Sequence, residues 1–276
     1  MTVVLDPDPF PLKALGSSFY DLLITQYPHL GPHAAFPPID RMSAGAGASL
    51  VSSIPHGTTI LALRYASGVV IAGDRRATEG YQISGRRIEK VYKVDDWSAM
   101  AIAGAAGPCL DMVRLFQTEL EHYEKLEGTT LSVDGKANKL AQMVKGNLPA
   151  AFQGLVVIPI FAGYDARQGS GRIFKYDVAG GRYEEADYHA TGSGGKDAKT
   201  TIKQYYKAGL NEHEAIGLAL EALFNAAEED VATGGPDPTR GIFPTVKTVT
   251  LDGIVDVSSD RIEPFYTAFL DKRRER

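Results

Sequence analysis

From Thr58 onward the hydrophobic period of this chain switches from two to about 3.6 and back, twice over, and few architectures accommodate that order. Thr58–Tyr65 alternates apolar with polar or small residues, Ala66-Ser-Gly is a hairpin turn, and Gly68–Asp74 is a second, mostly apolar strand. Ile88–Val94 and Ser98–Ala103 form a further predicted pair turning at Asp95-Asp96. The period then lengthens. Met112, Phe116, Leu120 and Tyr123 mark one face of a helix over Pro108–Leu126, and Leu140, Val144, Leu148 and Ala151 mark another over Asp134–Gly154. Strands are expected again at Leu155–Tyr164, Arg172–Asp177 and Tyr183–Ala190, then helices at Lys196–Ala208 and Glu212 to about Ala232, then a strand at Val246–Leu251 and a terminal segment. Strands joined by hairpins favour antiparallel sheets over βαβ units. Two such sheets with helices outside them give an α+β, four-layer α/β/β/α sandwich.

Residues 1–57 have a different character. They hold eight of the chain's 15 prolines and end in the small-residue run Met42-Ser-Ala-Gly-Ala-Gly-Ala-Ser. Proline at that density prevents long helices and central strands, leaving room for one short helix within Pro11–Thr25. The segment reads as a tail or as a leader that is removed. Its start is acidic and broken by proline, unlike a secretory signal, and the longest apolar run, Leu155–Ala162, is interrupted by Pro159 and too short for a membrane span. A net charge of −5 offers no general attraction to nucleic acid or anionic lipid. One cysteine, Cys109, allows no internal disulfide and no CxxC metal spacing, which suits a reducing cytosol.

Chemistry concentrates around Gly57-Thr58. A threonine hydroxyl needs a base, and an α-amine with a pKa near 8 is one, provided threonine is the first residue. Glycine before it leaves the preceding carbonyl open to attack by Thr58 Oγ1. Asp74, ending the neighbouring strand, and Lys90, on the next, can form a charge pair beside that hydroxyl. Taken singly, they are a turn cap and a surface lysine. Gly104, between a strand and a helix, can present its N–H to an oxyanion or simply make the turn. Thr191-Gly-Ser193-Gly-Gly195 lacks the phosphate-loop pattern, and a serine placed near an amine is its better use. Asp230 lies at a helix C-terminus, where its charge opposes the helix dipole, with Thr233 and two glycines following.

In this order the segments HGTTI (56–60), AGDRRAT (72–78), KVY (90–92), IAG (102–104), ELEHYEKLEG (119–128), KGNLPAAFQGL (145–155), GSG (192–194) and DVATGGPDPTRGIFPT (230–245) closely resemble β subunits of the 20S proteasome, the actinobacterial type above all. The likeness runs from about Pro55 to about Ile262. It implies the Ntn-hydrolase fold, autocatalytic removal of 1–57 between Gly57 and Thr58, and a mature domain over 58–276. It implies Thr58 as nucleophile, Asp74 and Lys90 as its charge pair, Gly104 as oxyanion donor, and Ser193, Asp230 and Thr233 around the freed amine. Ala77, Ile88, Tyr92, Ile102, Ala106 and Leu110 would line the substrate pocket. The implied activity is threonine endopeptidase, without metal or organic cofactor, in the cytoplasm. The implied partners are α subunits and further β copies in stacked heptameric rings, a ring-shaped ATPase, and protein substrates with a ubiquitin-like protein as the candidate tag. Two positions depart from the family pattern: Thr233 and Gly195 both stand where serine is common. HslV-type peptidases share the GSGG spelling but resemble the chain less elsewhere. A non-proteolytic ring subunit of the same fold would usually lack the threonine or its lysine, and a small-molecule Ntn amidase would commonly begin with Cys or Ser.

Overall fold

A computed structural model describes residues 57–274. The expected leader, apart from Gly57, and the short helix expected within it lie outside the described residues. Alternation builds the first sheet. β1 (Thr59–Tyr65) pairs with β2 (Gly68–Gly73) through the Ala66-Ser67 turn, and β10 (Tyr188–Gly192), β11 (Thr245–Thr250) and β12 (Gly253–Asp256) complete the order β10-β1-β2-β11-β12. The second sheet is β5 (Val91–Asp95), β6 (Ser98–Gly104), β7 (Val157–Asp165), β8 (Ser170–Tyr176) and β9 (Arg182–Glu185), in chain order. Every pairing in both sheets is antiparallel.

The period of two explains the layers. Ile60, Ala62, Val69 and Ile71 face inward onto Ala99, Ala101, Ala103, Ile160, Ala162 and Ile173 of the second sheet. The alternate residues Leu61, Leu63, Val70 and Ala72 face outward. They pack under α4 (Gly195–Tyr205), α5 (Glu212–Glu229) and α6 (Ser259–Arg274). Met100, Ile102, Phe161 and Phe174 do the same on the far sheet under α1 (Ala106–Glu127) and α2 (Val133–Gly146). The four-layer α/β/β/α sandwich expected from the sequence is therefore present. Each fully buried aliphatic or aromatic side chain in these layers contributes about 1.5–3 kcal/mol. Phe161 is a central one, meeting Phe116 edge-on at a centroid distance of 6.0 Å.

Four elements differ from expectation. The helix expected over Asp134–Gly154 stops at Gly146, and α3 (Leu148–Ala151) follows, with Pro149 in its first turn where the missing N–H costs nothing. The strand expected over Tyr183–Ala190 is two strands in different sheets, since the chain crosses from β9 to β10 at Ala186-Asp187. Arg64 holds this crossing through its backbone N to Asp187 O (2.8 Å) and its guanidinium to Ala186 O (2.9 Å). A ribbon of β3 (Ala77–Glu79) and β4 (Gln82–Gly85) precedes β5, and α6 ends the fold with Ile262 and Tyr266 turned into the core.

Candidate active site

Thr58 stands at the N-terminal end of β1, where the neighbouring strands deliver their own ends. The β1–β2 register sets Ile60 against Gly73, which brings Asp74 beside Thr59. Asp74 N donates to Thr59 O (3.0 Å), and Thr59 N donates to Asp74 Oδ1 (2.8 Å). On the other side, β10 sets Gly192 against Thr59, so that Ser193 N donates to Thr58 O (2.8 Å) and Thr58 N donates to Ser193 Oγ (3.3 Å). Lys90 arrives from the second sheet, just before β5. Its Cβ stands 3.5 Å from the point where a side chain on Gly73 would begin.

The charges here are dry. Asp74 is fully buried and Lys90 is 4% exposed. Lys90 Nζ has three acceptors, which match the three protons of an ammonium: Asp74 Oδ1 (2.6 Å), Arg76 O (2.6 Å) and Gly57 O (2.9 Å). Asp74 is equally saturated. Its second oxygen accepts from the backbone N–H groups of Arg76 and Gly234, both at 2.8 Å. Burial pulls the Lys90 pKa down from its ordinary value, opposed by the Asp74 carboxylate and, from further off, by Asp230.

The Gly57 carbonyl is the focus of this geometry. Thr58 Oγ1 donates to it at 2.6 Å, while Lys90 Nζ holds the same oxygen. Gly57 has φ +116°, and a Cβ there would fall 2.5 Å from Thr78 Oγ1 and 2.8 Å from Ala232 Cβ. Only glycine fits that place.

Asp230 caps α5 and accepts from Ala232 N (3.1 Å) and Thr233 Oγ1 (2.5 Å). Among the described residues no hydrogen bond joins it to Thr58, and the path runs through intermediaries: Thr233 Oγ1 lies 2.6 Å from Thr59 Oγ1, which accepts from Gly194 N (3.0 Å). Gly104 closes β6 at φ +129°, with room for no Cβ, which would sit 2.0 Å from Val156 O. Two residues earlier, Ile102 N donates to Lys90 O (2.9 Å), and strand alternation sends the Gly104 N–H to that same side, where β5 has not yet begun. Among the described residues no hydrogen bond joins Gly104 to Thr58.

The proteasome subunit family profile matches residues 54–237, two thirds of the chain and all of this constellation. The chain belongs to the proteasome subunit family. It is 58% identical over 228 residues to the proteasome subunit beta of Acidimicrobium ferrooxidans, covering 83% of this chain and 84% of that one. The proteasome subunit beta of Frankia casuarinae is 48% identical over 260 residues (93% and 90% covered), and that of Rhodococcus erythropolis is 51% identical over 248 (88% and 84%).

Within this proteasome fold the six expected pocket residues are less uniform than the charged set. Ala77 and Ile102 are buried, Tyr92 and Ala106 half-buried, and Ile88 and Leu110 about two-fifths exposed. Tyr92 packs with Ile102 beneath α1, its hydroxyl donating to Glu89 O (2.5 Å). Burial raises its pKa to about 12. A cavity of about 160 Å³ adjoins the site at Arg76 and Gly234, and none of the six residues lines it. Gly195, one of the two departures from the family pattern, has only ordinary contacts around its would-be Cβ, the nearest at 3.4 Å from Ala190. The other, Thr233, is fully buried between Asp230 and Thr59. Sequence reading missed Thr59, Gly234 N and Arg76 O. Thr59 reads as one more core residue of an alternating strand, and backbone donors carry no side-chain signal at all. Among the described residues no group of three or more His, Cys, Asp or Glu is placed to hold a metal, and no helix is long and apolar enough to cross a membrane.

Proposed function

We propose that the chain is the precursor of the catalytic β subunit of a 20S proteasome core particle, an N-terminal threonine endopeptidase whose nucleophile is Thr58. One observation carries this reading: Thr58 Oγ1 and Lys90 Nζ converge on the carbonyl of Gly57. Attack by Oγ1 on the Gly57 carbon would break the Gly57–Thr58 amide, pass the acyl group to the hydroxyl as an ester and free the α-amine. Water then removes residues 1–57. In the mature site the α-amine takes the Oγ1 proton, Oγ1 attacks a substrate carbonyl, and the amine returns the proton to the leaving nitrogen. Lys90, kept in place by Asp74, stabilises the alkoxide. Gly104 N–H faces the developing oxyanion. The acyl ester is released by water.

The family and the identity to proteasome β subunits support assembly with α subunits and further β copies into stacked heptameric rings, fed by a ring-shaped ATPase in the cytoplasm, with a ubiquitin-like protein as the candidate substrate tag. The apolar set Ala77, Ile88, Tyr92, Ile102, Ala106 and Leu110 is read as the pocket for the side chain before the cut. An acidic optimum in a fluorogenic peptide panel contradicts that assignment. A non-proteolytic ring subunit has no use for a saturated Lys90–Asp74 pair at the end of β1, and the relatives do not favour an HslV-type peptidase. The decisive variant is Thr58→Ala, expected to assemble with residues 1–57 still attached and to hydrolyse nothing. A Thr58→Ala chain that is processed or active rules the proposal out.

A further inference from the structure

Thr59 lies next to the proposed nucleophile and bonds to two parts of the site, to Asp74 with its amide and to Thr233 with its hydroxyl. We infer that Thr59 is a positioning residue, whose buried hydroxyl ties the Asp230 carboxylate to the Ser193–Gly194 loop and thereby sets the place of the Thr58 nitrogen. The argument is a count of protons. A carboxylate only accepts, so Thr233 spends its single hydroxyl proton on Asp230 Oδ2 at 2.5 Å. Thr233 Oγ1 is then left with lone pairs alone toward Thr59 Oγ1 at 2.6 Å, and Thr59 must be the donor. Thr59 Oγ1 in turn accepts from Gly194 N at 3.0 Å. The bonds therefore run one way only, from Gly194 N–H to Thr59, to Thr233, to Asp230.

Burial makes this order obligatory. Thr59 and Thr233 are both fully buried, so water cannot replace either hydroxyl. A side chain on Gly194 would begin 2.6 Å from Thr59 Oγ1 and 2.8 Å from Thr233 Oγ1, so the hydroxyl pair occupies the space over the loop. At its other end Thr59 is fixed through its backbone N to Asp74 Oδ1. One residue thus holds the Lys90–Asp74 pair with its amide and the Asp230 chain with its hydroxyl. The loop it steadies carries Ser193, which takes the Thr58 N–H and binds the Thr58 carbonyl. In the mature enzyme that nitrogen is the base.

The inference rests on the reading of Thr58 as nucleophile, and the test separates the two. Thr59→Val keeps the branched shape and removes both hydrogen-bonding roles, whereas Thr59→Ser keeps them. The assembled complex carrying Thr59→Val, Thr59→Ser, Thr233→Val or the double valine variant is compared with wild type and Thr58→Ala. The processed fraction is read by intact mass, and kcat, KM and the pH dependence of kcat are read per processed site. Thr59→Val is expected to lower kcat by about 10- to 100-fold, as misplacement of a reacting group does. KM should stay nearly constant and the acid limb of the kcat profile, which reports the amine, should be displaced. Thr59→Ser should restore both. The double variant should be no worse than the poorer single one, because the links act in series. Where Thr59→Val is not processed, Thr233→Val breaks the same chain one link later, with the same expectation. Wild-type kcat and an unmoved profile in the valine variant, or single losses that multiply, overturn the inference while an inactive Thr58→Ala leaves the nucleophile standing. An active Thr58→Ala overturns both.

Discussion

Two ion clusters in this molecule are built on opposite plans. At the end of the first sheet, Lys90 and Asp74 form one pair with no exposed side, completed by backbone donors and acceptors. At the edge of the second, Arg172 gathers three carboxylates. It grips Glu184 with two bonds of 2.7 Å and reaches Asp134 (2.6 Å) and Asp165 (3.1 Å), and Arg182 adds a bond to Asp134 (2.9 Å). Its partners Asp134 and Glu184 are each about half exposed. The second cluster fastens β8, β9 and α2 together and points at no reactive bond. The first joins β1, β2 and the second sheet at one carbonyl. A buried pair is poor evidence of stability in itself. Its placement against Gly57 O is what the proposed mechanism uses.

Breaking each cluster should therefore fail differently. Lys90→Ala has the largest expected effect: processing and peptide hydrolysis fall by about 10³-fold or more, the scale of a lost acid–base or electrostatic partner, while circular dichroism of the assembled complex stays that of wild type. A complex that matures normally without Lys90 contradicts its role. Arg172→Leu should do the reverse. Three carboxylates lose their common partner, and because Asp134 and Glu184 are half exposed the loss is about 1–2 kcal/mol of stability, seen as a lower denaturant midpoint. In the folded complex, kcat should stay within about twofold because nothing at Thr58 moves.

The smallest expected effect is electrostatic. Hydrogen bonds from Arg172 and Arg182 hold the Asp134 carboxyl down at about 2, from 3.8. A folded pKa below the unfolded one contributes stability that is complete above pH 3.8 and is lost as pH falls through about 2. Because Asp134 is half exposed, solvent screening holds this below about 1 kcal/mol. Asp134→Asn should flatten the pH dependence of unfolding in that window, and added salt should shrink the difference. A variant that follows the wild-type curve removes Asp134 from the cluster.

Periodicity made the layers legible. The alternation of Ile60, Leu61, Ala62 and Leu63 assigns two faces, and both are buried as two sheets with outer helices demand. It failed where one alternating run serves two sheets, at Ala186-Asp187, because the pattern carries no record of which neighbour a strand joins. It also failed at the polar β3–β4 ribbon and at α6, whose internal Pro264 and charged residues conceal a helix that buries Ile262 and Tyr266 in the core and packs Phe265 and Phe269 against it. The site was legible as side chains. Thr58, Asp74 and Ser193 converge as the pairing of β1 with β2 and β10 requires, and Lys90 meets them from the second sheet. What the spacing hid was the wiring. Asp230 reaches the strand of Thr58 through Thr233 and Thr59, a path set by helix α5 ending against β1 and by a hydroxyl that looks like any other strand threonine.

The central claim is that Thr58 becomes the first residue of the working chain and its nucleophile. The most direct test is the intact mass and N-terminal peptide of the β chain from the assembled complex, before and after a peptide epoxyketone, which closes a ring on a hydroxyl and an amine of the same residue. The account predicts a chain beginning at Thr58 that gains one inhibitor mass on that residue. A chain that retains residues 1–57 in the active complex, or one modified elsewhere, contradicts it.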